Sequence, residues 1–149
     1  MIAVKGHKNR AMEKKLAHLQ MIQGVVNRLS QNSFLLKGWC VVLVSALFAL
    51  AAGNRKMYFI YLAYFPAIAF WVLDAYFLWQ ERLFRALYDH VRQIKEEQVD
   101  FSMDTRVVKG QVKPWSDVIF SMTLLIFHGT VLASIVVVML VTISIKKGG

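Results

Sequence analysis

Few residues in this chain have the type and placement for chemistry. The most conspicuous is Asp74, the one acidic residue well inside a long apolar run, residues 57–79 (MYFIYLAYFPAIAFWVLDAYFLW). A carboxylate near a bilayer centre costs roughly 2.5–3.5 kcal/mol even on a permissive insertion scale, so Asp74 must face protein or water. Glu81 falls nearly on the same helical face two turns later, with Gln80 and Arg82 beside it. That spacing admits two readings. Asp74 and Glu81 form a ring lining an oligomeric pore or ion pathway, or Asp74 is an interfacial carboxylate bonded to a basic or hydroxyl partner on another helix. His128, beside Gly129 and Thr130 in a later apolar run, is the other buried titratable group. Its imidazole suits either a structural bond to a carbonyl or hydroxyl, or a proton relay that would join the ion pathway. No second ionisable group lies near it on its own helix, Asp117 being about three turns away.

Enzymatic signatures are missing. There is no Gly-rich phosphate loop, nucleophile elbow, His pair at metal-binding helical spacing, or Cys pair. The chain therefore reads as non-enzymatic, with no catalytic residue, no cofactor and no metal. The single cysteine, Cys40, excludes an intrachain disulfide, and its apolar setting suppresses the reactive thiolate, which makes it a structural thiol. A net charge of +9 invites comparison with nucleic-acid-binding proteins. No zinc-ligand spacing or RNP-like aromatic motif supports it, and no nucleic-acid partner is expected.

The elements that must position these residues follow from how charge and apolarity are partitioned. Of the 18 Lys and Arg, seven lie in residues 1–37 and seven in 80–114; the remaining four are Arg55, Lys56, Lys146 and Lys147. Three apolar stretches separate or follow the two basic segments, and a helix needs about 20 mostly apolar residues to cross a bilayer. Residues 57–79 and 118–145 suffice by themselves. The first, 39–52, spans once 34–38 joins it and Lys37 snorkels toward the headgroups. Between the first two crossings only GNRK (53–56) intervenes, which dictates an antiparallel hairpin. The positive-inside rule places both basic segments in the cytosol, so the N-terminus is cytosolic and the C-terminus extracytoplasmic. Nothing at the N-terminus resembles a cleavable signal. The charge excess is explained by anionic headgroups, each nearby Lys or Arg gaining about 1 kcal/mol.

The expected fold class is all-α: an integral membrane protein with three transmembrane helices, an N-terminal amphipathic helix and a cytosolic extension of the second transmembrane helix. Its divisions are 1–33 (cytosolic amphipathic helix), 34–53 (first crossing), 57–79 (second), 80–114 (cytosolic helix and loop) and 115–145 (third). Met12, Leu16, Leu19, Ile22, Val26 and Leu29 form the stripe of the first helix. It would lie on lipid, pack on the other cytosolic helix, or self-associate as a coiled coil. SQNS (30–33) either continues that helix or re-caps it. In the extension, Leu83, Leu87, Val91 and Ile94 form a stripe, with exposed pairs Glu81–Arg85, Asp89–Arg92 and Arg92–Glu96. VDFSMDT (99–105) alternates apolar and polar, which fits a short strand or a pinned loop. Val99, Phe101 and Met103 would share one face and could dock on the Leu83–Ile94 stripe or on a neighbouring subunit. Gly129 and Ala133 form a small-xxx-small patch for close helix approach. Oligomer-interface candidates are thus Leu83, Leu87, Val91, Phe101, Met103, Gly129 and Ala133. Pro66 predicts a mid-bilayer kink, while Trp39, Tyr58, Tyr61, Trp79 and Trp115 sit where interfacial belts occur.

Across LQMIQGVVNRLSQNSFLLKGW (19–39), FWVLDAYFLWQERLFRALYDHVR (70–92) and DFSMD (100–104), the chain resembles RipA-type proteins, a family of small bacterial octameric inner-membrane proteins. The resemblance implies a homo-oligomer in a bacterial inner (plasma) membrane and specifies no activity. In architecture alone the chain is also similar to membrane effectors of phage defence or stress responses, which depolarise or permeabilise a membrane. The expected function is a ring-shaped pore or membrane-perturbing effector controlled through a cytosolic collar. The alternative is a non-conducting scaffold that recruits a cytosolic protein partner. Lipid with anionic headgroups and further copies of the chain are the other expected partners. A transporter fits less well, because three helices carry no internal repeat.

Overall fold

Three segments of this chain have helices long and apolar enough to cross a membrane, within 9–53, 58–93 and 122–145. The computed structural model describes residues 2–54 and 56–148, with side chains described for 9–53, 56–145 and 147. Arg55 of the expected turn and the Lys146 side chain lie outside the described residues. Among the described residues every regular element is helical and none is a strand. The elements are α1 (Ile2–Asn54), α2 (Tyr58–Leu62), α3 (Tyr64–Gln93), two 3₁₀ segments (Glu96–Gln98 and Thr105–Gln111), α4 (Trp115–Val118) and α5 (Met122–Gly148).

α1 is continuous for 53 residues, so SQNS continues the helix and does not re-cap it. The reason lies in Ser33, whose hydroxyl donates to a side chain of another helix and not to a local backbone group. α3 likewise runs unbroken from the second apolar stretch into the basic segment. Pro66 acts earlier than a mid-helix kink would suggest. It occupies the first turn of α3, where a missing N–H is tolerated, and the helix is interrupted at Ala63. There the Ala63 N–H is shared between the Phe59 and Ile60 carbonyls at 3.2 Å each. The third apolar stretch is also divided, with α4 and α5 separated at 119–121. The Ser121 carbonyl accepts from Leu124 and Leu125 as α5 begins.

The chain forms two compact units. A basic unit comprises Met1–Gln31 and Phe77–Pro114, and an apolar unit comprises Asn32–Tyr76 and Trp115–Gly149; α1 and α3 contribute to both. In the basic unit, Ile22 and Val26 of α1 pack with Leu87 and Val91 of α3 and with Val108 of the second 3₁₀ segment. Burying each such side chain from water is worth about 1.5–3 kcal/mol. In the apolar unit, Cys40 and Val44 of α1 meet Ile60 of α2, Ala67 of α3, and Val131 and Ile135 of α5. Small residues at 63 and 67, both fully buried, let the backbones approach.

Residues 99–105 are a pinned loop, and its chemistry explains why no strand forms. Asp100 Oδ1 accepts from Ser102 N at 2.9 Å, Ser102 Oγ from Asp104 N at 3.3 Å, and Asp104 Oδ1 from Arg106 N at 2.9 Å. Each short polar side chain binds the backbone two residues on, which replaces ladder hydrogen bonds with successive turns. Phe101 adopts φ 58° within them.

Candidate functional site: a buried polar cluster in the apolar unit

Four polar side chains from three helices meet inside the apolar unit. Ser33 and Lys37 lie one turn apart on α1 and so share a face. α3 supplies Asp74, and α5 supplies His128. Lys37 Nζ lies 2.6 Å from Asp74 Oδ2 and donates to Ser33 Oγ at 2.8 Å. Ser33 Oγ in turn donates to Asp74 Oδ1. His128 Nε2 is 3.0 Å from Asp74 Oδ2. Because a carboxylate only accepts, this nitrogen is the donor. Asp74 is 0% exposed and His128 1%, while the Lys37 side chain keeps 22% exposure.

Aromatic rings close the cluster. Trp71, one turn before Asp74 on α3, stacks on His128 with centroids 5.8 Å apart and planes within 6°. Its indole N–H donates to the Ile119 carbonyl at 2.9 Å, satisfying a group freed by the break before α5. Phe127 meets His128 edge-on, and Lys37 Nζ sits 5.9 Å from the Phe127 ring centroid.

This arrangement compensates Asp74, the Lys37 ammonium standing against its carboxylate. It ties α1, α3 and α5 together through one carboxylate, and removing Lys37 would leave that buried charge uncompensated. The expectation that Lys37 reaches for the headgroups gives way to an internal ion pair, for which a buried carboxylate is the stronger partner. Cys40, the single cysteine, is free and fully buried. Three hydroxyls of α5 bond within the helix, Thr130 to the Ile126 carbonyl at 2.6 Å, Ser134 to that of Val131 at 2.7 Å and Thr142 to that of Val138 at 2.8 Å.

The other sequence candidates are placed as follows. Glu81 is 8% exposed in the basic unit, where its Oε1 accepts from Arg85 at 2.8 Å and 2.7 Å. The Asp89–Arg92 pair forms at 3.5 Å; Glu96 lies beyond the end of α3, and no Arg92–Glu96 pair occurs among the described residues. Leu83, Leu87 and Val91 are 2–3% exposed within the protomer. Leu87 and Val91 pack on α1 and the second 3₁₀ segment within the protomer. Met103 packs on the same cluster, whereas Phe101 is 37% exposed with its ring 5.4 Å from His18. Around Gly129 the space is open, a Cβ there meeting nothing within 4 Å, and Ala133 is exposed. Among the described residues no side chain therefore fills the space beside Gly129.

Sequence reasoning missed Ser33 and Lys37 as the partners of Asp74; the Ser-x-x-x-Lys spacing on one helical face was the available signal. It also missed the basic unit's own polar contacts. Lys15 Nζ donates to the Arg92 and Ile94 carbonyls at 2.9 Å and 2.7 Å, capping the end of α3. His18, 1% exposed, donates from Nε2 to the Ser102 carbonyl at 3.0 Å. A cleft of about 260 Å³ lies beside it, lined in part by His90, Asp100 and Asp104. Among the described residues no group of three His, Cys, Asp or Glu side chains is placed to hold a metal ion. Searches against protein-family models, curated proteins and solved structures return no match for this chain.

Proposed function

We propose that this chain is a homo-oligomeric bacterial inner-membrane protein, in which the basic unit forms a cytosolic assembly collar and the apolar unit anchors it as a non-conducting scaffold. The observation that carries the scaffold reading is the satisfaction of Asp74 inside one protomer by Ser33, Lys37 and His128. A carboxylate already neutralised at 0% exposure needs no ring of subunits and offers no charge to a permeant ion. Assembly is supported by apolar side chains left outside the packed cores: Met12, Leu16 and Met21 in the basic unit, each about half exposed, and the open Gly129–Ala133 patch in the apolar unit. The collar then recruits a cytosolic protein, and the basic residues hold it against anionic headgroups. The likeness to RipA-type octameric proteins agrees with such an assembly.

A ring-shaped pore, of the kind used in stress or phage defence, is the second reading. It is favoured by the depth of the ionisable groups of the apolar unit, which is costly to maintain for anchoring alone. Reconstitution separates the two. The purified protein is sized in detergent and then placed in dye-loaded and ion-gradient liposomes, as wild type and as Glu81→Gln. A multimer that passes neither dye nor ions supports the scaffold. Flux reduced by Glu81→Gln returns the pore and its lining, flux indifferent to it gives a pore lined elsewhere, and a monomer overturns the collar.

A further inference from the structure

The proton inventory of the buried cluster leads beyond anchoring. Asp74 Oδ1 is taken by Ser33, while two nitrogen donors, Lys37 Nζ at 2.6 Å and His128 Nε2 at 3.0 Å, converge on the single oxygen Oδ2. The opposite ring nitrogen, His128 Nδ1, is buried without a hydrogen-bond partner among the described residues. With Nε2 already donating to Asp74, Nδ1 is the one ring position at which a proton can add, and the neighbouring carboxylate favours the imidazolium that would form. We propose that His128 Nδ1 is a proton-binding site of the apolar unit, and that its occupation displaces Lys37 from Asp74.

The balance is simple. A hydronium ion gives one proton to the Nδ1 lone pair: its O–H bond breaks, an N–H bond forms, water is left behind, and neutral imidazole becomes imidazolium with both ring nitrogens protonated. The cluster then passes from zero charge to +1, with two cations on one carboxylate oxygen. Like charges at that separation repel strongly where water is scarce, so one must leave. His128 is held on both sides, stacked on Trp71 and edge-on to Phe127, and is 1% exposed. Lys37 has a flexible stem and 22% exposure, so it is the group that leaves, toward the headgroups. The groups facing His128 are Lys37 and Ser33 from α1, Asp74 and Trp71 from α3, and Phe127 from its own helix. The Cys40 thiol, one turn beyond Lys37 on α1, is fully buried. Released from Lys37, α1 loses its ionic tie to α3, so proton uptake loosens this part of the apolar unit. The proposal stands whether the assembled protein conducts or not.

The stacked indole supplies the readout, because an imidazolium quenches an adjacent tryptophan more than neutral imidazole does. A variant retaining Trp71 alone (Trp39, Trp79 and Trp115→Phe) is placed in lipid nanodiscs and its emission followed from pH 9 to pH 5. A single sigmoidal loss of roughly half the intensity is expected, absent in His128→Gln. Lys37→Met should move the midpoint alkaline by more than one pH unit, about a tenfold gain in proton affinity, because the competing cation is gone. In the wild-type sequence, ¹⁵N-histidine NMR should show His128 passing from one protonated ring nitrogen to two over the same range, which frees the test from any folding defect of the variants. No change of His128 protonation between pH 9 and 5, or a fluorescence step that survives His128→Gln, overturns the site. A midpoint unmoved by Lys37→Met overturns the displacement of Lys37.

Discussion

Asp74 depends unequally on its partners. Removing the Ser33 hydroxyl takes one neutral donor from a carboxylate that keeps its cation, so Ser33→Ala should cost about 1 kcal/mol. Lys37→Met strands the charge, and breaking a buried pair from one side costs about 3–5 kcal/mol. Unfolding in mixed detergent micelles should therefore rank Lys37→Met well below Ser33→Ala; equal losses would mean that the ion pair adds nothing beyond a hydrogen bond. In the basic unit, Arg106 binds Asp104 through its side chain at 2.7–3.0 Å and through its backbone N–H, holding that carboxyl below the usual carboxylate range. A lowered pKa stabilises the fold above the ordinary carboxylate range, and that contribution is lost as pH falls through the lowered value. Amide exchange at 100–106 should stay slow at mildly acidic pH and quicken only in stronger acid. Arg106→Gln should bring the quickening to higher pH.

Elements end where backbone groups find other partners. α3 stops at Gln93, and the Lys15 ammonium takes up the carbonyls of Arg92 and Ile94. Lys15→Met should destabilise the basic unit by about 1 kcal/mol, seen as faster amide exchange across 92–98 with little change in the apolar unit. Leu87 lies in the core of that unit and Leu87→Ala should cost about 2–5 kcal/mol, against a much smaller effect for Leu16→Ala, which is half exposed. Thermal denaturation of the two variants makes the comparison. The continuity of α3 through Trp79 and Gln80 was legible from the absence of Gly and Pro, whereas the breaks at Ala63 and at 119–121 were not. The loop at 99–105 was only half legible, because alternation predicts a strand unless the Asp and Ser side chains are seen binding the backbone two residues on. Pro66 was read as a kink because position in the run was known but position in the helix was not.

For the whole molecule, the division into a basic and an apolar unit coincides closely with the partition of Lys and Arg along the chain. If the collar is formed by the exposed apolar residues of α1, then Leu16→Lys with Met21→Lys should lower the mass of the detergent-solubilised particle while leaving its helical content unchanged. Mass photometry and circular dichroism measure both, and an unaltered mass removes those two residues from the interface. Membrane class and three apolar helices were determined by sequence alone, because spanning length and local apolarity are properties of contiguous residues. So was the demand that Asp74 find a partner, because an isolated buried charge is unaffordable in any fold. Which partners it found was decided only by tertiary structure. Ser33 lies 41 residues from Asp74 and His128 lies 54 away, and no periodicity within one helix encodes which faces of three helices turn toward one another.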